Sequence, residues 1–88
     1  ANSLAAGLNL GHLELETGNV SEAKRLFTEI AKSCSSCSPA MLGLGIAQRR
    51  SGNIKASISA LKKARKSRSS YFISTYHLLT AQQIISII

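Results

Sequence analysis

With 88 residues, the chain has room for one small domain that buries roughly 60–65% of the surface its unfolded form would expose. A composition 44% apolar but only 5% aromatic, with one Pro and six Gly, excludes a disordered or loop-built chain and suits a helical core of Leu, Ile and Ala. The net charge of +7 is unevenly placed: Glu14, Glu16, Glu22 and Glu29 are the four acids, and from residue 30 onward nine Lys and Arg face none.

The apolar spacing predicts five helices. From about Ser3 to Thr17, Ala5, Leu8, His12 and Leu15 recur at i, i+3/i+4 spacing, while Leu10 and Leu13 lie on another face. Gly7 and Gly11 between them mark places of close backbone approach. Gly18-Asn19 closes this helix, because both residues accept the left-handed cap conformation. Asn19 or Ser21 then caps a second helix to about Lys32, with Ala23, Phe27 and Ile30 facing inward. Ser33 to Cys37 reads as loop. Ser38-Pro39 is a start signal, with a hydroxyl to cap and then Pro at the first helical position. The third helix runs to about Arg50 and is closed by Ser51-Gly52-Asn53. A fourth, from about Ile54 to Lys66, buries Ile58, Leu61 and Ala64 and turns Lys55, Lys62, Lys63 and Lys66 outward. Ser67 to Ser70 is a polar linker. A fifth helix runs from about Tyr71 to the end, although its terminal Ile residues favour strand intrinsically.

Leu10-Gly11 and Gly18-Asn19-Val20 are echoed 34 positions later by Leu44-Gly45 and Gly52-Asn53-Ile54. Ala23, Phe27 and Ile30 are followed at the same offset by Ser57, Leu61 and Ala64. One supersecondary unit is therefore expected twice, each copy burying its apolar face on the next. In these residues the chain resembles the tetratricopeptide repeat. The resemblance implies an all-α fold, a right-handed α-solenoid of antiparallel helix pairs with about five helices. Residues 1–88 then form one domain, with unit one at 4–37, unit two at 38–71 and a closing or partial third-unit helix at 72–88. Glu14 and Gln48 stand where the family usually has an aromatic, and its closing Pro is missing from both units, which leaves the subfamily open. Leu78 keeps the period a third time, but Leu79 replaces the small Gly, so the last helix is expected to close the stack. Ile84, Ile85, Ile87 and Ile88 spread around more than one face and call for a cover, a second copy of the chain among the candidates.

The resemblance further implies that first helices line a groove for an extended peptide or partner helix. Carried over by position, its wall is Ala5, Leu8, His12, Glu16, Leu42, Ile46, Arg49 and Arg50, extended by Tyr76, Thr80 and Gln83. An apolar floor with two Arg and a His suits a partner with hydrophobic anchors and a carboxylate. The same residues admit plainer roles: packing between units for Leu8, Leu42 and Ile46, and dipole compensation for Arg49 and Arg50. The family's clamp for a terminal carboxylate is not reproduced, since Leu8, His12 and Gly43 hold its places.

Lys55, Lys62, Lys63 and Lys66 form a basic face, read foremost as solvating. Nucleic-acid binding there is not expected, because no aromatics are interleaved to stack bases. Cys34 and Cys37 read as ordinary loop thiols, with a local disulfide or a redox pair as alternatives; a metal site would need further ligands. Glu14 and Glu16, two apart, point to different faces and cannot act as an acid–base pair, so no enzyme and no cofactor are expected. Ser69 to Ile88 carries no charge, yet its Ser, Thr, Gln and His side chains argue against a membrane span. No signal peptide is seen after Ala1, and the missing Met fits a processed chain or an excised piece. The cytoplasm is the default compartment. The function expected is protein–protein interaction, with a non-catalytic arm of a larger enzyme or assembly factor as one alternative and nucleic-acid binding on the basic face as the other.

Overall fold

The computed structural model describes residues 3–34, 37–66 and 71–87. Five helices account for nearly all of them: α1 (Ser3–Glu16), α2 (Val20–Ser33), α3 (Ser38–Arg50), α4 (Ile54–Ala64) and α5 (Tyr71–Ile87). No strand occurs among the described residues. The terminal Ile-rich segment is helical through Ile87, against its intrinsic β preference. The expected linker Ser67–Ser70, together with Ser35, Ser36 and Ile88, lies outside the described residues. Helix four ends earlier than its periodicity suggested: Arg65 and Lys66 form a turn, with the Lys66 N–H donating to the Lys63 carbonyl at 3.3 Å.

The two hairpins close identically. The Asn19 N–H donates to the Glu14 carbonyl at 2.8 Å, and the Gly18 N–H to Leu15 at 3.2 Å. Asn53 donates to Gln48 at 2.8 Å and Gly52 to Arg49 at 3.1 Å, the same pattern 34 residues on. Both are Schellman closures, which need a left-handed residue after the helix. Gly18 (φ 89°) and Gly52 (φ 93°) supply it without steric cost. Asn19 and Asn53 then sit at the N-caps of α2 and α4 with φ/ψ near −83°/66° and −84°/70°, and neither side chain makes a capping bond. That backbone lies outside the β region from which a capping side chain reaches the first turn. The start of α3 is also shifted: Cys37, not Ser38, is the N-cap, and its carbonyl accepts from the Ala40 and Met41 N–H groups.

Packing follows the same period. Phe27 is fully buried between two helices. A Cβ placed on Gly11 of α1 would lie 2.6 Å from its ring, and one on Gly43 of α3 would lie 2.4 Å away. Leu61, also fully buried, stands 2.6 Å from a Cβ on Gly45. The pairs Gly11–Phe27 and Gly45–Leu61 are thus one contact built twice. Around Phe27 gather Leu15, Ala23, Ile46 and Ala47; around Leu61 gather Leu78 and Ala81. Leu42 packs against both clusters and joins them into one column. Ser57 replaces Ala23 in the second unit at no polar cost, since its hydroxyl donates to the Gly45 carbonyl at 2.7 Å.

Candidate functional site

Each helix packs on its neighbour in sequence, and in addition α1 touches α3 and α3 touches α5. The odd-numbered helices α1, α3 and α5 are therefore neighbours in turn.

Burial divides the expected wall residues. Ala5 and His12 are exposed, and the His12 ring meets the buried Phe27 edge-on, with centroids 5.2 Å apart. Leu8 and Leu42 are half-buried, rooted in the core with one side open. Ile46 is buried within the Phe27 cluster. Tyr76 is 67% exposed and stands edge-on to His77, with centroids 5.2 Å apart. Thr80 turns its hydroxyl back to the Tyr76 carbonyl at 3.0 Å, a bond local to its own helix. Glu16 and Gln83 are exposed at the margins.

The two arginines part company. Arg50 Nη1 donates to the Leu15 carbonyl at 3.0 Å and ties the end of α3 to the end of α1. That carbonyl also accepts from the Gly18 N–H, so the guanidinium is its second donor. Arg49 is half-buried and has no hydrogen-bond or ion-pair partner among the described residues. Both lie close enough to His77 of α5 to matter electrostatically. Burial, and then the charges of Arg49 and Arg50, hold the His77 imidazole below its ordinary pKa. His77 Nδ1 is itself buried without a partner. The junction of α3 and α5 is thus a positively charged place that contains no acid. Sequence reasoning put the arginines on the groove wall and left His77 off it, although His77 stands 34 positions after the buried Gly43.

Lys55, Lys62, Lys63 and Lys66 are all exposed, and α4 contains no acid. The cysteines are not free thiols: Cys34 and Cys37 form a disulfide with a Cα–Cα distance of 5.5 Å. The C-terminal end of α2 and the N-cap of α3 bring them within bonding range, which corrects the expectation of ordinary loop thiols. Among the described residues no three His, Cys, Asp or Glu side chains converge as a metal site would require. No described helix is long and apolar enough to cross a membrane.

One feature of unit one is missing from the sequence reading, a cleft of about 320 Å³ lined by Leu4, Gly7, Leu26, Glu29, Ile30 and Ser33. Its origin is a volume exchange. Gly7, Leu26 and Ile30 correspond to Met41, Ala60 and Ala64 in unit two, all three buried. The large side chains have changed helices, and in unit one they do not fill the space fully.

No protein-family model matches the chain, and no curated protein matches it in sequence.

Proposed function

We propose that this chain is a protein–protein interaction module of tetratricopeptide type, holding an extended peptide or partner helix along the wall of α1, α3 and α5. The observation that carries this reading is the composition of that wall. Half-buried Leu8 and Leu42 offer fixed apolar ground, exposed Tyr76 offers an aromatic anchor, and half-buried Arg49 has no ion-pair partner among the described residues. Rigid aromatic and Arg groups at the centre of an apolar patch are what strong contacts are commonly built from. A bound segment with hydrophobic anchors and a carboxylate would satisfy both.

The test is a fluorescence-anisotropy titration with a library of acidic-apolar peptides. Binding should weaken on Arg49→Glu and on Tyr76→Ala, and stay unchanged on Arg25→Ala, which lies on α2. Arg49 is the better probe than Arg50, whose replacement would also break the bond to Leu15. Binders that ignore both wall substitutions would remove this assignment. Steeply salt-dependent retention on heparin, lost on Lys62→Glu/Lys63→Glu, would instead point to nucleic acid on the exposed face of α4.

A further inference from the structure

The end of α3 and the first half of α5 gather positive charge with no counter-charge beside it. Half-buried Arg49 has no hydrogen-bond or ion-pair partner among the described residues. Arg50 is held in place by its 3.0 Å bond to the Leu15 carbonyl. Glu14 and Glu16 flank Leu15 in the chain, yet neither forms an ion pair with Arg50 among the described residues. On α5, His77 keeps its Nδ1 buried without a partner, and its ring stands edge-on to exposed Tyr76 with centroids 5.2 Å apart. Helix α5 contains no Asp, Glu, Lys or Arg. The charges that act on His77 come from α3, those of Arg49 and Arg50, and no carboxylate opposes them.

Like charges at a partly desolvated place repel one another, and this chain's own contacts do not relieve them. Elsewhere it does pair its charges: Arg25 bridges Glu22 and Glu29 on α2. Unbalanced cations beside an orphaned polar atom mark a place that an anion completes. Charge says which anion. Two guanidinium groups act here, so a single carboxylate would neutralise only one of them. A phosphomonoester carries about two negative charges and three strong acceptor oxygens, which the planar Arg forks match in geometry as well as in sign. The lysines of α4 are no equivalent, because they are fully solvated point charges on one exposed face. Tyr76 gives the place its neighbour. A phosphate at His77 lies one residue from an exposed aromatic ring, where an apolar side chain of the same segment can rest.

We infer that Arg49, Arg50 and His77 form a phosphate-binding site, and that its ligand is a phosphorylated serine or threonine of the partner segment. The phosphate site stands on the α3–α5 junction alone, whereas its assignment to a peptide rests on the groove proposed above. Two titrations of the 88-residue chain at pH 7.5 and fixed ionic strength test it. In the first, inorganic phosphate is added while the His77 imidazole resonances are followed by NMR. They should shift saturably, and should not do so in Arg49→Gln. In the second, a labelled peptide with apolar flanks carries serine, phosphoserine or glutamate at its centre. Phosphoserine should bind about tenfold or more tighter than serine, with glutamate between them. Arg49→Gln should remove most of that gain and His77→Gln part of it. Arg49→Lys keeps the charge and should restore some of the gain, which separates loss of the site from loss of the fold. Lys62→Gln/Lys63→Gln removes two charges from α4 and should leave the gain intact. An equal loss in that variant would reveal attraction to net charge and overturn the proposal. So would glutamate that matches phosphoserine, or His77 resonances that ignore phosphate. A serine peptide that binds through Tyr76 but gains nothing from phosphorylation overturns this site and leaves the groove. Saturable phosphate binding without binding of any peptide removes the groove and overturns the assignment to a partner segment.

Discussion

The ring of Phe27 fills the space where a side chain on Gly43 would begin, with only 2.4 Å between the ring and an ideal Cβ. Helices α2 and α3 approach across this point, and Gly11 gives the same ring room on its other side. The contact is between units, so it decides whether the two hairpins form one body.

Gly43→Ala should therefore destabilise the chain by about 1–3 kcal/mol, since a methyl group inserted into a filled core forces the ring or the helix aside. Phe27→Leu should cost a similar amount alone, through the void it leaves. Together the two changes should cost less than their sum, because Leu vacates the space that Ala enters. Urea denaturation of the four proteins measures this, and strictly additive losses would show that the two residues do not share the space.

The Cys34–Cys37 disulfide closes a very short loop between α2 and α3. Chain-entropy arguments give such a loop roughly 1–2 kcal/mol, at the low end for disulfides. Cys34→Ala/Cys37→Ala should lower the unfolding free energy by that amount. Reductant should lower the parent equally and leave the variant unaffected. A variant still sensitive to reductant would contradict the assignment.

His77 makes stability depend on pH. Its pKa is lowered in the folded state, by burial first and by Arg49 and Arg50 next, so between the folded and unfolded values the unfolded chain binds more protons. Stability from this residue is complete above the ordinary imidazole value near 6.5 and is lost as pH falls through the lower folded value. Thermal unfolding from pH 7.5 to 5 should show that decline. His77→Gln should flatten it, and Arg49→Ala should reduce it in part. A profile unchanged by His77→Gln would assign the decline to another group.

Much of the architecture is legible in the residues alone. Gly18 and Gly52 mark the hairpin turns because a positive φ is nearly closed to other residues, and the chain's two positive-φ glycines among the described residues are these two. The period linking Gly11–Phe27 to Gly45–Leu61 is visible as spacing, and the packing obeys it. Leu79 stands where Gly11 and Gly45 precede it in the period, and it is 56% exposed. The burial of the proposed wall residues is only half legible. Leu8 and Ile46 look alike as letters on a stripe, yet one is partly open and the other is core.

By itself, the sequence determined the helices, the hairpin turns at Gly18 and Gly52 and the 34-residue unit, because these depend on local backbone preference and on apolar spacing. The tertiary structure decided which residue meets which. It brought Gly43 to Phe27, Arg49 and Arg50 to His77, and Cys34 to Cys37, and it opened the cleft at Gly7. Those outcomes rest on distances between helices and on how side-chain volumes are shared across them, and spacing along one chain does not encode either. It also left Leu10 44% exposed while Leu78, at the same place in the period, is buried in the cluster around Leu61.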